Sequence, residues 1–425
     1  MRHDNPAIGY SDQAVTTGRS RSAGSCRLVL FAVLLLAAGC STRAFIPPSE
    51  SATAFTQRAV TQSQGAVTVS AAVPSAEEVR ALLGVDLYKN DIQPVWLRAE
   101  NNGDKQVRIA LWSLDPEYFS PMEVAWNYRR HFGSEGRRDL ERWLYENQMP
   151  RRIAPGKSLS GFVFTHRSDG TKGFNVDLYG TDRSYNFTFF VPLPGFRPDY
   201  MDVDFRSLYQ PDEIRDVDLS GIASLMESFD CCSSDQSGEL QGDPFNVVLV
   251  GSPLAVRRTL LRAAWQETRQ DDPETAVART NYFAGRPPDG VFLKARPDGD
   301  ERKQLRLWMA PIRVDGHPLW LGQISYNMSG VSWLFARDQY KIDPDIDDAR
   351  MFLVQNFWYS QSLSAHGFVG GIPAASIDAP IENFEGHEYF TDGLRSVLVL
   401  SETPIALDET KLIDLLPGPD SGVAQ

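Results

Sequence analysis

Reactive side chains are scarce in this chain. Its 425 residues hold four cysteines and six histidines. Beyond residue 39 the histidines are His131, His166, His317, His366 and His387, and no two have the i,i+4 spacing of a helical zinc site. Cys231 and Cys232 are adjacent, with no second pair to complete a zinc cluster. A Gly-x-Ser-x-Gly elbow is absent, and the glycine-rich spots at Gly285 and Gly370-Gly371 lack the lysine of a phosphate loop. Basic residues are outnumbered, 42 Lys and Arg against 55 Asp and Glu, for a net charge of −13. That balance excludes a nucleic-acid footprint and argues against charge-driven adhesion to anionic lipid. Long apolar runs are missing too. The longest, residues 28–38, has eleven residues, where a spanning helix needs about 20.

That short run is nonetheless informative. Arg2, Arg19, Arg21 and Arg27 precede it, and small residues and Cys40 follow it. Positive charge, apolar core and small-residue exit are the parts of an export signal. Ala38-Gly39-Cys40 resembles the lipobox of bacterial lipoproteins, with Ala37 where leucine is more common. The resemblance implies a signal peptide over 1–39, cleavage before Cys40 and acylation of its sulfur. Ser41 in place of aspartate favours sorting to the outer membrane, and the domains are expected to face the periplasm. Residues 1–39 carry four arginines and two aspartates, so the mature chain has a net charge near −13 − 2 = −15.

Composition divides the remainder. Residues 40–75, rich in Ser, Thr, Ala and Gln, read as a flexible tether. Over 76–200 the hydrophobic period is mostly two, as in Val95, Leu97 and Ala99, with a turn signal at Asn101-Asn102-Gly103-Asp104. This predicts an immunoglobulin-like β-sandwich, interrupted by one helix around Leu140, Trp143 and Leu144. Residues 201–243 read as an acidic interdomain linker that packs on one domain. It carries a short helix around 222–229 and the Cys231-Cys232 pair, a candidate vicinal disulfide. Residues 244–405 predict a buried strand at 245–250, then a helix that Ser252 caps and Pro253 opens. A second helix is expected at 274–281, strands at 290–294, 305–314, 318–325, 367–372 and 394–400, and a helix from 345 to 362. The fold class is α+β, with a mostly antiparallel sheet and helices on one face. Residues 406–425 read as a mobile tail.

Several segments of this second domain, taken in order, resemble the LssY-type C-terminal family. They are Asn246-Val-Val-Leu-Val-Gly251, Phe283-Ala-Gly-Arg-Pro-Pro288, Leu305-Arg-Leu-Trp308, Leu319-Trp-Leu-Gly-Gln323, Ile342-Asp-Pro-Asp-Ile-Asp347 with Arg350, and Tyr389-Phe-Thr-Asp-Gly-Leu-Arg395. The resemblance implies an envelope-associated module, often found behind membrane-embedded segments, and no assigned reaction. Lys341 and Ala349 depart from the family pattern, which often has histidine and glutamate there.

The alternating carboxylates Asp343, Asp345, Asp347 and Asp348 invite a cation, but the calcium-loop glycine and terminal glutamate are missing. Helix capping explains them better, with Asp343 as cap and Pro344 first. The candidate ligand-binding residues are Arg286, Trp320, Asp345, Arg350, His387 and Arg395. Arg286, Arg306 and Arg395 would converge on an anion over Trp320. The competing structural reading pairs these arginines with the acids of the chain. Neither catalytic residue, metal nor cofactor is predicted. The expected function is a lipid-anchored binding or scaffolding module that contacts membrane lipid through Cys40 and an envelope protein or anionic ligand. The alternative is a metal-assisted hydrolase of phosphate or ester bonds in envelope lipids, using Asp343, Asp345, Asp347 and His387.

Overall fold

A computed structural model describes residues 43–269, 277–295, 301–328 and 341–416. The predicted signal peptide, Cys40 and residues 417–425 lie outside the described residues; of the mobile tail expected over 406–425, Lys411 and Leu412 instead pair with Ala365 and His366 as a strand, which corrects that part of the reading. In the first half, strands β1 (Val60–Gln64), β2 (Val67–Ala72), β3 (Ile92–Asn101), β4 (Val107–Ala110), β5 (Arg152–Ile153), β6 (Lys157–His166), β7 (Thr171–Tyr179) and β8 (Ser184–Pro192) make two four-stranded sheets. Their orders are β1-β2-β3-β6 and β5-β4-β7-β8. They share one core, with Val69, Val95 and Leu97 facing Val176, Phe187 and Phe189. The period-two alternation produces this directly, since alternate side chains of β3 enter the core while Arg98 stays exposed. Gly161 on β6 is obligatory: a Cβ there would lie 2.4 Å from the Gln148 carbonyl.

The outer face of the first sheet is also covered. Helices α1 (Ala76–Leu83), α2 (Pro121–Asn127) and α3 (Ser134–Glu146) pack Val79, Val124, Leu140 and Leu144 over Phe162 and Phe164. Ser75 and Ser120 each close a capping box, with Glu78 and Glu123. Sequence reading missed α2, whose seven residues are too short to show a period. The tether expected over 40–75 is also corrected. Phe45 and Phe55 are buried, and residues 60–72 form the β1–β2 hairpin around Gly65. The segment looks polar because edge strand β1 pairs on one side only, and β2 alternates Val67 and Val69 inward with Thr68 and Ser70 outward.

The second half contains β9 (Arg215–Val217), α4 (Ile222–Glu227), β10 (Cys232–Ser234), β11 (Gln241–Pro244), β12 (Val247–Val250), α5 (Pro253–Arg262), β13 (Gln266–Glu267), β14 (Gly290–Ala295), β15 (Arg302–Val314), β16 (His317–Met328), β17 (Lys341–Ile342), α6 (Ile346–Tyr359), β18 (Leu363–Val369), β19 (Ile381–Glu382), β20 (Glu388–Tyr389), β21 (Arg395–Leu400) and β22 (Lys411–Leu412). The main sheet runs β13-β14-β15-β16-β12-β21-β18-β22, with β17 on β16 and β9 on β15. It is mostly antiparallel, as the α+β class requires. The exceptions are the parallel pairs β12–β21, β15–β9 and β18–β22.

Strand β12 explains the layering. Val247 and Leu249 point to one face with α5 and α6, and Val248 and Val250 point to the other with Ile222 and Met226 of α4. Helices therefore cover both faces, not one as predicted. The segment read as linker supplies β9 and α4 to this body. The expected cap of α6 also moves. Asp345, not Asp343, caps it, accepting from the Asp347 and Asp348 N–H groups at 3.1 and 3.2 Å. Asp343 instead accepts from the Asp345 N–H at 3.0 Å, a turn that delays the helix by two residues. Of the helix predicted at 274–281, residues 277–280 form a 3-10 turn and 274–276 lie outside the described residues.

The two halves meet at a buried acid. The Glu267 side chain is fully buried. It accepts from the Thr171 N–H on β7 at 3.0 Å, from the Tyr200 hydroxyl at 2.5 Å and from Arg257 Nε on α5 at 3.1 Å. Arg257 also donates to Thr171 Oγ1 at 2.9 Å. Removing one partner of a buried, hydrogen-bonded charge pair costs on the order of 3 kcal/mol, because the others remain desolvated. Glu267→Leu is expected to lose about that much in urea unfolding and to split the transition into two. A single transition at the wild-type midpoint would contradict this role.

Candidate functional site

The six candidate residues do not share a cleft. Arg286 follows Ala284 and Gly285, both at positive φ, in a turn that aims it back at the sheet. It pairs with Asp289 and donates to the Tyr209 hydroxyl at 2.8 Å and the Met309 carbonyl at 3.1 Å. Arg306 is buried against Asp243 at 3.0 Å and Gln323 at 2.7 Å. Arg395 is fully buried on the α4 side, donating to the carbonyls of Asp230 at 3.0 Å and Gly371 at 2.9 Å. Burial pushes its guanidinium down to about 10. Trp320 lies on the opposite face and bonds the Gly251 carbonyl at 3.0 Å. The expected convergence of arginines over Trp320 is therefore corrected: each arginine is consumed by its own acid or carbonyl. His387 sits in a turn with Asn383, with Nδ1 at 3.6 Å from Glu385. Cys231 and Cys232 are disulfide-bonded to each other, and Gln241 donates to Cys232 Sγ at 3.2 Å.

Asp345 and Arg350 do come together. They line a cavity of about 640 Å³ with Asp347, Asp348, Phe390 and Asp392. Arg350, 3% exposed, grips Asp392 in a bidentate pair at 2.8 and 2.7 Å. Asp347 accepts from Thr391 Oγ1 and the Asp392 N–H, both at 2.7 Å. These carboxylates are engaged in holding the loop before β21 to the start of α6. Among the described residues no group of three or more His, Cys, Asp or Glu is placed to hold a metal.

A different cavity has the character of a ligand site. It is about 270 Å³ in volume, and its walls are Leu254 and Val256 of α5, Phe292, Leu307 and Trp320 of the sheet, and Phe205. Phe205, Tyr200, Leu208 and Tyr209 pack partly buried against the same core, so the connector roofs the pocket. Arg257 and Asp289 are its charged members. Arg257 stacks over the Tyr200 ring at 5.3 Å. Burial and the adjacent Glu267 charge push the Tyr200 phenol upward, so it remains a donor. Burial pushes Asp289 up as well, opposed by Arg286 and the Met309 N–H. A few polar groups around an apolar hollow suit a ligand with an apolar body. Sequence reading named only Trp320 here. The available signal was the set of aromatics spaced among Asp199, Asp202 and Asp204, which a solvated linker would not carry.

The Arg350–Asp392 clamp makes a pH-dependent prediction. Burial raises Asp392, but the Arg350 hydrogen bonds, the Leu394 N–H and the Arg350 charge outweigh it and hold the carboxyl below 3.8. A depressed carboxyl contributes stability above its unfolded pKa, and that share is lost as pH falls through the folded value. Asp392→Asn should be less stable than wild type at neutral pH, with the gap closing below pH 3.8. Thermal melts across that range check it, and a pH-independent gap would refute it.

No curated protein matches the chain. Residues 226–394, which include the clamp and the pocket residues of α5, β14, β15 and β16, match the family model described as LssY C-terminus, so the second half carries a domain of that family.

Proposed function

We propose that this chain is a lipid-anchored envelope protein, held at the outer membrane through acylated Cys40 and facing the periplasm, whose LssY-type domain binds an acyl-chain segment of a lipid-derived ligand. The pocket between α5, the sheet and residues 200–209 carries this reading. Its walls are almost wholly apolar, it holds about 270 Å³, and exposed Leu254 sits at its lip. The anchor supports the assignment of ligand class, since it would hold the pocket close to a supply of lipid.

A binding role is favoured over hydrolysis by what the carboxylates already do. Asp343 and Asp345 accept backbone N–H groups around the start of α6, and Asp347 is bonded to Thr391 and Asp392. A hydrolase would need such groups free to meet water, metal or substrate.

Mass spectrometry of the amino-terminal peptide tests the anchor; an unmodified Cys40 would remove it. Leu254→Trp tests the pocket by filling its mouth from an exposed position. Excluding two methylenes at about 0.8 kcal/mol each lowers affinity about tenfold. Titration of a fluorescent fatty acid should show that loss in the variant. Equal affinity in both proteins would move the ligand elsewhere.

A further inference from the structure

The chain is acidic overall, but one end of its first half is not. Residues 126–138 hold Arg129, Arg130, Arg137 and Arg138 against a single acid, Glu135. They span the end of α2, the turn at 128–133 and the first residues of α3. Arg130, Arg137 and Arg138 are exposed, and among the described residues none pairs with a carboxylate. Exposed apolar side chains share this end. Trp126 is 63% exposed, with the Arg129 guanidinium 4.1 Å over its ring, and Met122 is exposed one turn earlier. A basic rim around an exposed tryptophan is the composition of a surface that rests in the headgroup layer of a membrane.

Arg43, the first described residue, is bonded to the same end, and Cys40 stands just before it in the sequence. The Arg43 carbonyl accepts from the Gly133 N–H at 3.1 Å, and the Arg43 guanidinium lies over Phe132. Gly136 is needed for this contact, since a Cβ there would sit 2.9 Å from the Arg43 carbonyl oxygen. Phe45 is then buried against Phe132 and Trp143. Ser41 and Thr42 alone separate Cys40 from Arg43, a reach of about 10 Å at full extension.

We infer that the α2–α3 corner, bearing Trp126 at the end of α2, Arg130 in the turn and Arg137 and Arg138 at the start of α3, is a docking surface for an anionic lipid bilayer. This rests on the anchor reading only for its geometry; the surface is defined by its own residues. Trp126 enters the headgroup layer, the arginines meet lipid phosphates, and the first half lies against the membrane with a fixed face down.

The test uses the full chain, processed by the cell that makes it and incorporated into vesicles of neutral lipid or of neutral lipid mixed with anionic lipid. The vesicles carry brominated acyl chains, which quench nearby tryptophan. Quenching is expected with anionic lipid, weakening in high salt and falling strongly in Trp126→Phe. In Arg130→Ala/Arg137→Ala/Arg138→Ala it should drop to the neutral-vesicle level while the protein stays vesicle-bound through its anchor. Equal quenching of wild type and Trp126→Phe, or no difference between lipids, overturns the surface. A wild-type chain that washes off the vesicles overturns the anchor instead. Quenching on mixing that free chain with anionic vesicles would then uphold the surface, and none would overturn it.

Discussion

The arrangement of this molecule depends on one carboxylate that has no access to water. An ionised acid in a low-dielectric interior survives only when donors surround it. Glu267 obtains its donors from three separate places: β7 of the first half, α5 of the second, and Tyr200 of the connector between them. Satisfying that charge therefore fixes more than one contact. It sets β7 against α5, and it draws residues 200–209 down over the sheet, where Phe205 lies 5.3 Å from Trp320. The pocket roof follows from an electrostatic requirement as much as from hydrophobic packing.

The same logic is repeated across the connector and the LssY-type domain, where acids and arginines that might have formed a site instead pin loops to the sheet. Asp199 takes Arg279, Asp289 takes Arg286, Asp243 takes Arg306 and Asp392 takes Arg350. Segments of this domain also hold one another. The Trp308 indole donates to the Arg286 carbonyl, and Asn246 bonds the Ile324 backbone through both ends of its amide. Buried ion pairs contribute little net stability compared with apolar packing. Their value here is geometric, because each one admits a single loop placement.

What the sequence disclosed was local. The β12 run, the Ser252-Pro253 helix start and the β15–β16 turn at Asp315-Gly316, both at positive φ, are decided by neighbouring residues. The alternation of β3 was equally legible. What stayed hidden is set by contacts between residues far apart in the chain. Residues 201–243 read as linker because their acids stand out in the composition, while aromatics such as Phe205 and Tyr209 find burial only against a sheet whose main strands come later. The arginines looked convergent because residue type says nothing about which of many acids each one meets. Val60 to Ala72 looked like tether because an edge hairpin with one polar face has the composition of coil.

That last misreading changes the physical picture of the whole protein at a membrane. A free tether over residues 40–75 would let the fold wander about 30 Å from its lipid. With Arg43 hydrogen-bonded to the α2–α3 turn and Phe45 buried, the covalent slack between Cys40 and the fold shrinks to about 10 Å. If the proposed anchor holds it there, a body tied that closely would present one face to the bilayer almost continuously. The face that the chain path selects is also the one where arginines outnumber acids. Net charge would predict repulsion from anionic lipid, but the Debye length at physiological salt is about 8 Å, so a bilayer responds to the charges nearest it. On the proposed anchor, local arrangement, fixed by Gly136 allowing the chain to cross α3, would outweigh the overall charge in setting which face meets a membrane.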